Sequence, residues 1–226
     1  MSDSSKARRA ADQLEGRLGL SSVRWEQVIE TVAAVILGLA ALITSWSGYQ
    51  AGRWNGVMAA SFSEASALRL ESTRVSDVAG RQTQVDLQLF SSWLDAYAAG
   101  NQQLADFYRA RFRDEFRPAF EAWLATRPLA NPDALPSPFD HPEYQVAASA
   151  RARRLEAEAA AVFEQGMRAN QIGDEYVFSA VLLALALFFA GIANRFAWLT
   201  LQWGLLGTAL LLLILGLVNI ARYPIN

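Results

Sequence analysis

Three stretches of the chain carry no acidic or basic side chain: residues 31–43, 176–193 and 196–221. With their apolar flanks they become candidate spans at 28–49, 176–193 and 199–220. A helix rises about 1.5 Å per residue and a bilayer core is about 30 Å thick, so about 20 apolar residues are needed to cross it. The first and third reach that length, and the second is short enough to demand little tilt. The third contains the run Ala209-Leu210-Leu211-Leu212-Leu213-Ile214-Leu215, which leaves no polar face for water. The expectation is an all-α integral membrane protein with three transmembrane helices. A cleaved signal peptide is the competing reading of the first span. Its leader, residues 1–27, is long for that purpose and no clean small-residue cleavage site follows, which favours an uncleaved anchor.

Between the first and second spans lies a segment, residues 50–175, with a different pattern. No proline occurs from residue 51 to 99 and good helix formers dominate, so the first span is expected to continue outward as a long helix, broken or bent at Gly56 or Gly80. Gly100-Asn101 predicts a turn, the glycine ending one helix and the asparagine capping the next. Leu104, Phe107, Tyr108, Phe112, Phe116, Phe120, Trp123 and Leu124 then recur every three or four residues, predicting one buried aromatic face, with Pro118 kinking the helix or starting a new turn. Five prolines in residues 127–142 predict a semi-extended loop. A further helix is expected from Pro142 or Glu143 to about Gly173, with Asp174 and Glu175 leading into the second span. The whole predicts a helical bundle inserted between spans one and two, with no strand pattern and no internal repeat.

Charge adds an orientation. Lys6, Arg8, Arg9, Arg17 and Arg24 precede the first span and Arg195 separates the second from the third. Three crossings put these on one side, and the positive-inside rule makes that side the cytoplasm. Residues 50–175 and the C-terminus are then expected outside the cytoplasm of a bacterial inner membrane. The net charge of −2 carries no concentrated basic surface of the kind nucleic acid requires. Cysteine is absent, which excludes disulfides, thiolate metal sites and a thiol nucleophile.

Thr44, Gly48, Gly52, Gly56 and Ala60 form a ladder of small residues spaced by four, so they share one helix face and let another backbone approach closely. The partner is either another span of the same chain or a second protomer, with a lean to the latter because the stripe runs past the membrane. Trp46, Tyr49 and Trp54 fit an interfacial aromatic belt. Ser45, Ser47, Gln50 and Asn55 are polar groups near the membrane surface, suited to interhelical hydrogen bonds or, in an oligomer, to lining a narrow pore.

Here the chain resembles an uncharacterised family of bacterial three-span membrane proteins with a Ser-Trp-Ser-x-Tyr-Gln pattern, Ser45 to Gln50 in this sequence, after the first span. The resemblance extends to residues 66–74, to Gln84-Val85-Asp86 and to the Pro-Phe-Asp-His-Pro-Glu-Tyr segment from Pro138 to Tyr144. It implies the membrane topology and brings no activity.

Candidate chemistry is sparse. His141, the single histidine, stands beside Asp140 and Glu143, where oxygen and imidazole ligands for a divalent ion would be conceivable, but one histidine in a proline loop is more often a cap. Asp114-Glu115 and Asp174-Glu175 are adjacent pairs that diverge by about 100° on a helix. No Ser/His/Asp set, phosphate loop or zinc motif occurs, and no charge lies at mid-membrane, where a proton relay would need one. The expectation is a non-enzymatic, homo-oligomeric scaffold or sensor module without catalytic residues, metal or cofactor, whose partners are the lipid bilayer and further copies of itself. The rival readings are an oligomeric channel and an accessory subunit bound to another membrane protein.

Overall fold

In the computed structural model the backbone is described for residues 3–128, 130–196 and 198–226, and side chains for Trp25 and from residue 27 onward apart from 129 and 197. The basic residues of the N-terminal leader, Lys6, Arg8, Arg9, Arg17 and Arg24, therefore lie outside the described side chains. Every regular element among the described residues is helical: α1 (Asp3–Ala98), α2 (Gln102–Arg109), α3 (Arg117–Ala125), a 3₁₀ turn (Pro138–Asp140), α4 (Ala147–Ala193) and α5 (Leu199–Ile220). Three of them, α1 from Gln27 onward, α4 and α5, are long and apolar enough to cross a membrane.

Two expectations about continuity need correction. α1 is not broken at Gly56 or Gly80, because an isolated helix glycine costs only about 1 kcal/mol and both helix flanks are strong formers. The helix after the proline loop starts at Ala147 rather than at Pro142 or Glu143, and runs through Gly173, Asp174 and Glu175 without interruption.

The chain divides into two compact units, Met1–Ala59 with Gly166–Asn226, and Ala60–Gln165. The first has an inside-out composition. Its core is lined by Ala33, Ala40, Ala186, Ala190, Ala193 and Ala209 together with Ile29, Ile36, Leu183, Leu206 and Leu213. Large apolar side chains cover the outside instead: Leu42 is 72% exposed, Phe188 57% and Leu211 57%. Water would penalise that surface, whereas hydrocarbon does not, and small interior residues let helices associate by close packing without a hydrophobic drive. On α1 the inward positions are Ile29, Ala33, Ile36, Ala40, Ile43, Ser47, Gln50 and Trp54, alternating steps of four and three. α5 runs antiparallel to α4, since Gly216 faces Leu183 while Asn219 reaches Ser179 and Glu175.

The second unit is built differently. α1 and α4 pair antiparallel in it: Phe62 stacks on Phe163 with centroids 5.0 Å apart, and the Ser72 hydroxyl donates to the Ala152 carbonyl at 2.9 Å. Ala65, Leu68, Ser72, Val75, Ala79, Gln82, Asp86, Leu89, Trp93 and Ala96 make the inward stripe of α1, in steps of three and four. The turn at Gly100 has φ of +70°, and the Asn101 side chain caps α2 by accepting from the Leu104 N–H at 3.1 Å. Beyond it, one kinked helix gives way to two short ones, α2 and α3, with Pro118 in the first turn of α3, where its missing N–H costs nothing. The break changes which aromatics are buried. Phe112, Phe116, Phe120 and Trp123 join Phe90 and Trp93 in the core, while Leu104 and Phe107 stay exposed on α2, contrary to the single-face expectation. The proline loop closes over this cluster through its 3₁₀ turn, which stacks Phe139 on Phe116 at 5.0 Å.

Candidate functional site

The residues singled out in the sequence fall on opposite sides of α1. Gly48, Gly52 and Gly56 are exposed, as is Ala60, and among the described residues a β-carbon built on any of the three glycines meets nothing within 4 Å. Thr44 is half-buried and its hydroxyl donates to the Ala40 carbonyl one turn back at 2.7 Å. The ladder is therefore not the seam that α1 uses within its own chain. The close approaches lie elsewhere: a β-carbon on Gly173 of α4 would come within 3.1 Å of Asn55 Oδ1, and one on Gly216 of α5 within 3.1 Å of Leu183 Cγ. Neither was singled out in the sequence as a packing glycine. The sequence places Gly173 at a helix end, yet Gly166, Ala169, Gly173 and Tyr176 share the three-and-four spacing of the buried α4 positions, which is the available signal.

The polar set divides in the same way. Ser45 is exposed and its hydroxyl donates to the Ala41 carbonyl at 3.0 Å. Asn55 is also exposed, with its side chain along the α4 seam. Ser47 and Gln50 are fully buried inside the unit. Gln50 Oε1 accepts from the Asn226 N–H at 3.0 Å, but among the described residues Ser47 Oγ and Gln50 Nε2 have no hydrogen-bond partner.

Around Gln50 the C-terminal tail forms a clasp that no motif announced. The Pro224 carbonyl accepts from Trp54 Nε1 at 3.2 Å and from the Tyr176 hydroxyl at 3.3 Å. Asn219 Nδ2 reaches Ser179 Oγ at 3.0 Å and Glu175 Oε2 at 3.1 Å. Trp54 and Tyr176 thus spend their polar ends on this tail.

In the second unit a buried carboxylate holds distant segments together. Asp86 is fully buried and takes both ends of the Arg113 guanidinium at 2.9 Å, a bidentate pair. The Tyr144 hydroxyl donates to Asp86 Oδ2 at 3.1 Å, and Glu115 receives a further Arg113 N–H at 3.0 Å. Hydrogen bonding to Asp86 raises the pKa of Arg113 further. Burial pushes the Tyr144 hydroxyl above the usual tyrosine value, with the Asp86 charge adding to it. Two of the segments on which the family resemblance rests, at Asp86 and at Tyr144, are brought into contact here. His141, next door, uses Nδ1 to accept from the Glu143 N–H at 3.3 Å, a local turn bond.

These features define a multi-pass, all-helical membrane protein with an inside-out membrane unit and an aromatic second unit. Compared with protein-family models, curated proteins and solved structures, the chain has no significant match to any of the three.

Proposed function

We propose that this protein is a non-enzymatic scaffold or sensor module that associates with copies of itself in the inner membrane, presenting the Ala60–Gln165 unit outside the cytoplasm. The observation that carries the reading is the outward face of α1. Among the described residues a β-carbon on Gly48, Gly52 or Gly56 meets nothing within 4 Å, while Gly173 and Gly216 serve the packing of the chain itself. Glycine on an unpartnered helix face gains nothing there and costs backbone entropy, so three at a spacing of four are best accounted for by a second helix. The lysine and arginine residues before the first span, with Arg195 between the other two, support the orientation.

A pore lined by Ser45, Ser47, Gln50 and Asn55 has less support, because two of these side chains face the interior of the unit and two do not. The test is the native mass of the particle held in lipid nanodiscs. The wild type is expected as a homo-oligomer and Gly52→Leu as a monomer with unchanged helicity. A wild-type monomer overturns self-association, and a stoichiometric second protein in the particle replaces it with the accessory-subunit reading.

A further inference from the structure

Residues 221–226 follow α5 without regular secondary structure, and the last three bury little of themselves: Pro224 and Asn226 are exposed and Ile225 is 69% exposed. Three hydrogen bonds nevertheless join this stretch to the helices of the membrane unit. The Pro224 carbonyl accepts from Trp54 Nε1 on α1 and from the Tyr176 hydroxyl on α4, and the Asn226 N–H donates to Gln50 Oε1 on α1. All three end on the main chain of the tail, and among the described residues no side chain of residues 224–226 takes part. Being continuous with α5, the tail thus straps together all three long helices by its backbone alone.

Closing the strap carries a cost. Gln50 is fully buried and spends Oε1 on the tail, yet its Nε2 has no partner among the described residues, and neither has Ser47 Oγ three residues earlier on the same inward stripe. A buried donor without an acceptor costs as much as a neutral hydrogen bond gains, or more. The exposed tail adds no apolar anchor to tip that balance, and segments held by few buried apolar contacts open locally with little free energy. The helices do not depend on it to stay joined, since Asn219 Nδ2 links α5 to Ser179 and Glu175 of α4 on its own.

We propose that the tail is a latch poised between the closed form described above and an open one, in which residues 224–226 leave the helices and Gln50 Nε2 gains water. Opening changes the cover over one buried amide at the end of the membrane unit and leaves the helix packing in place. The latch goes beyond self-association and does not depend on it.

The test uses a nitroxide on Ile225→Cys, an outward position in a chain without other cysteines, read by continuous-wave electron paramagnetic resonance of the full chain in nanodiscs. An immobile and a mobile component are expected together. Trp54→Phe and Tyr176→Phe keep a ring and lose a donor, so each should raise the mobile-to-immobile ratio by about two- to tenfold, the scale of one neutral hydrogen bond. Asn226→Ala keeps the main chain and should leave the ratio unchanged. Gln50→Met removes one bond and the stranded donor together, so it should shift the ratio toward the open form less than either ring variant, or toward the closed form. A single mobile component in the parent, or an immobile one that neither ring variant alters, overturns the latch. So does a shift on Asn226→Ala as large as that of Tyr176→Phe, or an opening by Gln50→Met that exceeds both ring variants.

Discussion

The two units bury opposite kinds of side chain. The membrane unit hides alanine and shows leucine, valine and phenylalanine, while the Ala60–Gln165 unit hides phenylalanine and tryptophan and shows charge. The difference follows from the solvent each requires. Where the surroundings are hydrocarbon, moving a leucine inward gains nothing, so the interior is chosen for closeness of approach. Where they are water, each buried aromatic removes a large apolar area from it. Both units also bury polar groups, and among the described residues each leaves some unpartnered: Asp86 has both oxygens paired, while Gln82 Oε1 in the second unit, like Ser47 Oγ and Gln50 Nε2 in the first, has no hydrogen-bond partner.

The comparison can be broken most forcefully at the aromatic cluster. Phe116→Ala should destabilise the second unit by about 3–5 kcal/mol, the usual cost of a cavity in a packed core, as measured by denaturant unfolding followed through near-UV circular dichroism. Asp86→Ala should cost about 3 kcal/mol, because it strands the Arg113 guanidinium without its main partner. In the membrane unit the sensitivity should run the other way. Gly173→Leu overfills the α1–α4 seam and should cost about 1–3 kcal/mol, whereas Leu211→Ala, on the outer surface, should change stability by less than about 0.5 kcal/mol. Steric-trap unfolding in lipid distinguishes the two.

A finer contrast concerns the polar groups. Ser47→Ala removes a buried hydroxyl that has no partner, so it should leave stability within about 0.5 kcal/mol or raise it. The smallest effect is expected at alkaline pH. The raised Tyr144 pKa means the folded chain favours the neutral phenol, so this contribution is complete below the usual tyrosine value of about 10 and fades as pH climbs past the raised one. Tyr144→Phe should flatten that alkaline decline, and an unaltered pH profile would remove Tyr144 as its source.

The membrane helices were legible because absence of charge over span length has one physical meaning, and the Gly100-Asn101 turn was legible because its chemistry is local. Continuity was not. Whether Gly80 or Gly173 ends a helix depends on what packs there, and the inward stripe from Ala65 to Ala96 is mostly small or polar, so hydropathy conceals its three-and-four rhythm. The burial of Phe112 against the exposure of Phe107 was likewise hidden, since it depends on a break between α2 and α3 within one periodic run. For the candidate site, a spacing of four puts Gly48, Gly52 and Gly56 on one helix face, but whether that face turns inward or outward is a tertiary property. The clasp at Pro224 and the pairing of Asp86 with Tyr144 join positions far apart in the chain, and no local pattern encodes them.

The claim on which the rest depends is that hydrocarbon is the solvent for the outward faces of α1, α4 and α5. The chain contains no cysteine, so single nitroxide labels at Leu42→Cys, Phe188→Cys and Leu211→Cys can be placed without background. In nanodiscs, power-saturation spectroscopy should find all three far more accessible to molecular oxygen, which concentrates in lipid, than to a water-soluble nickel chelate. Labels that collide with the chelate as freely as an exposed position such as Arg74 would contradict the account.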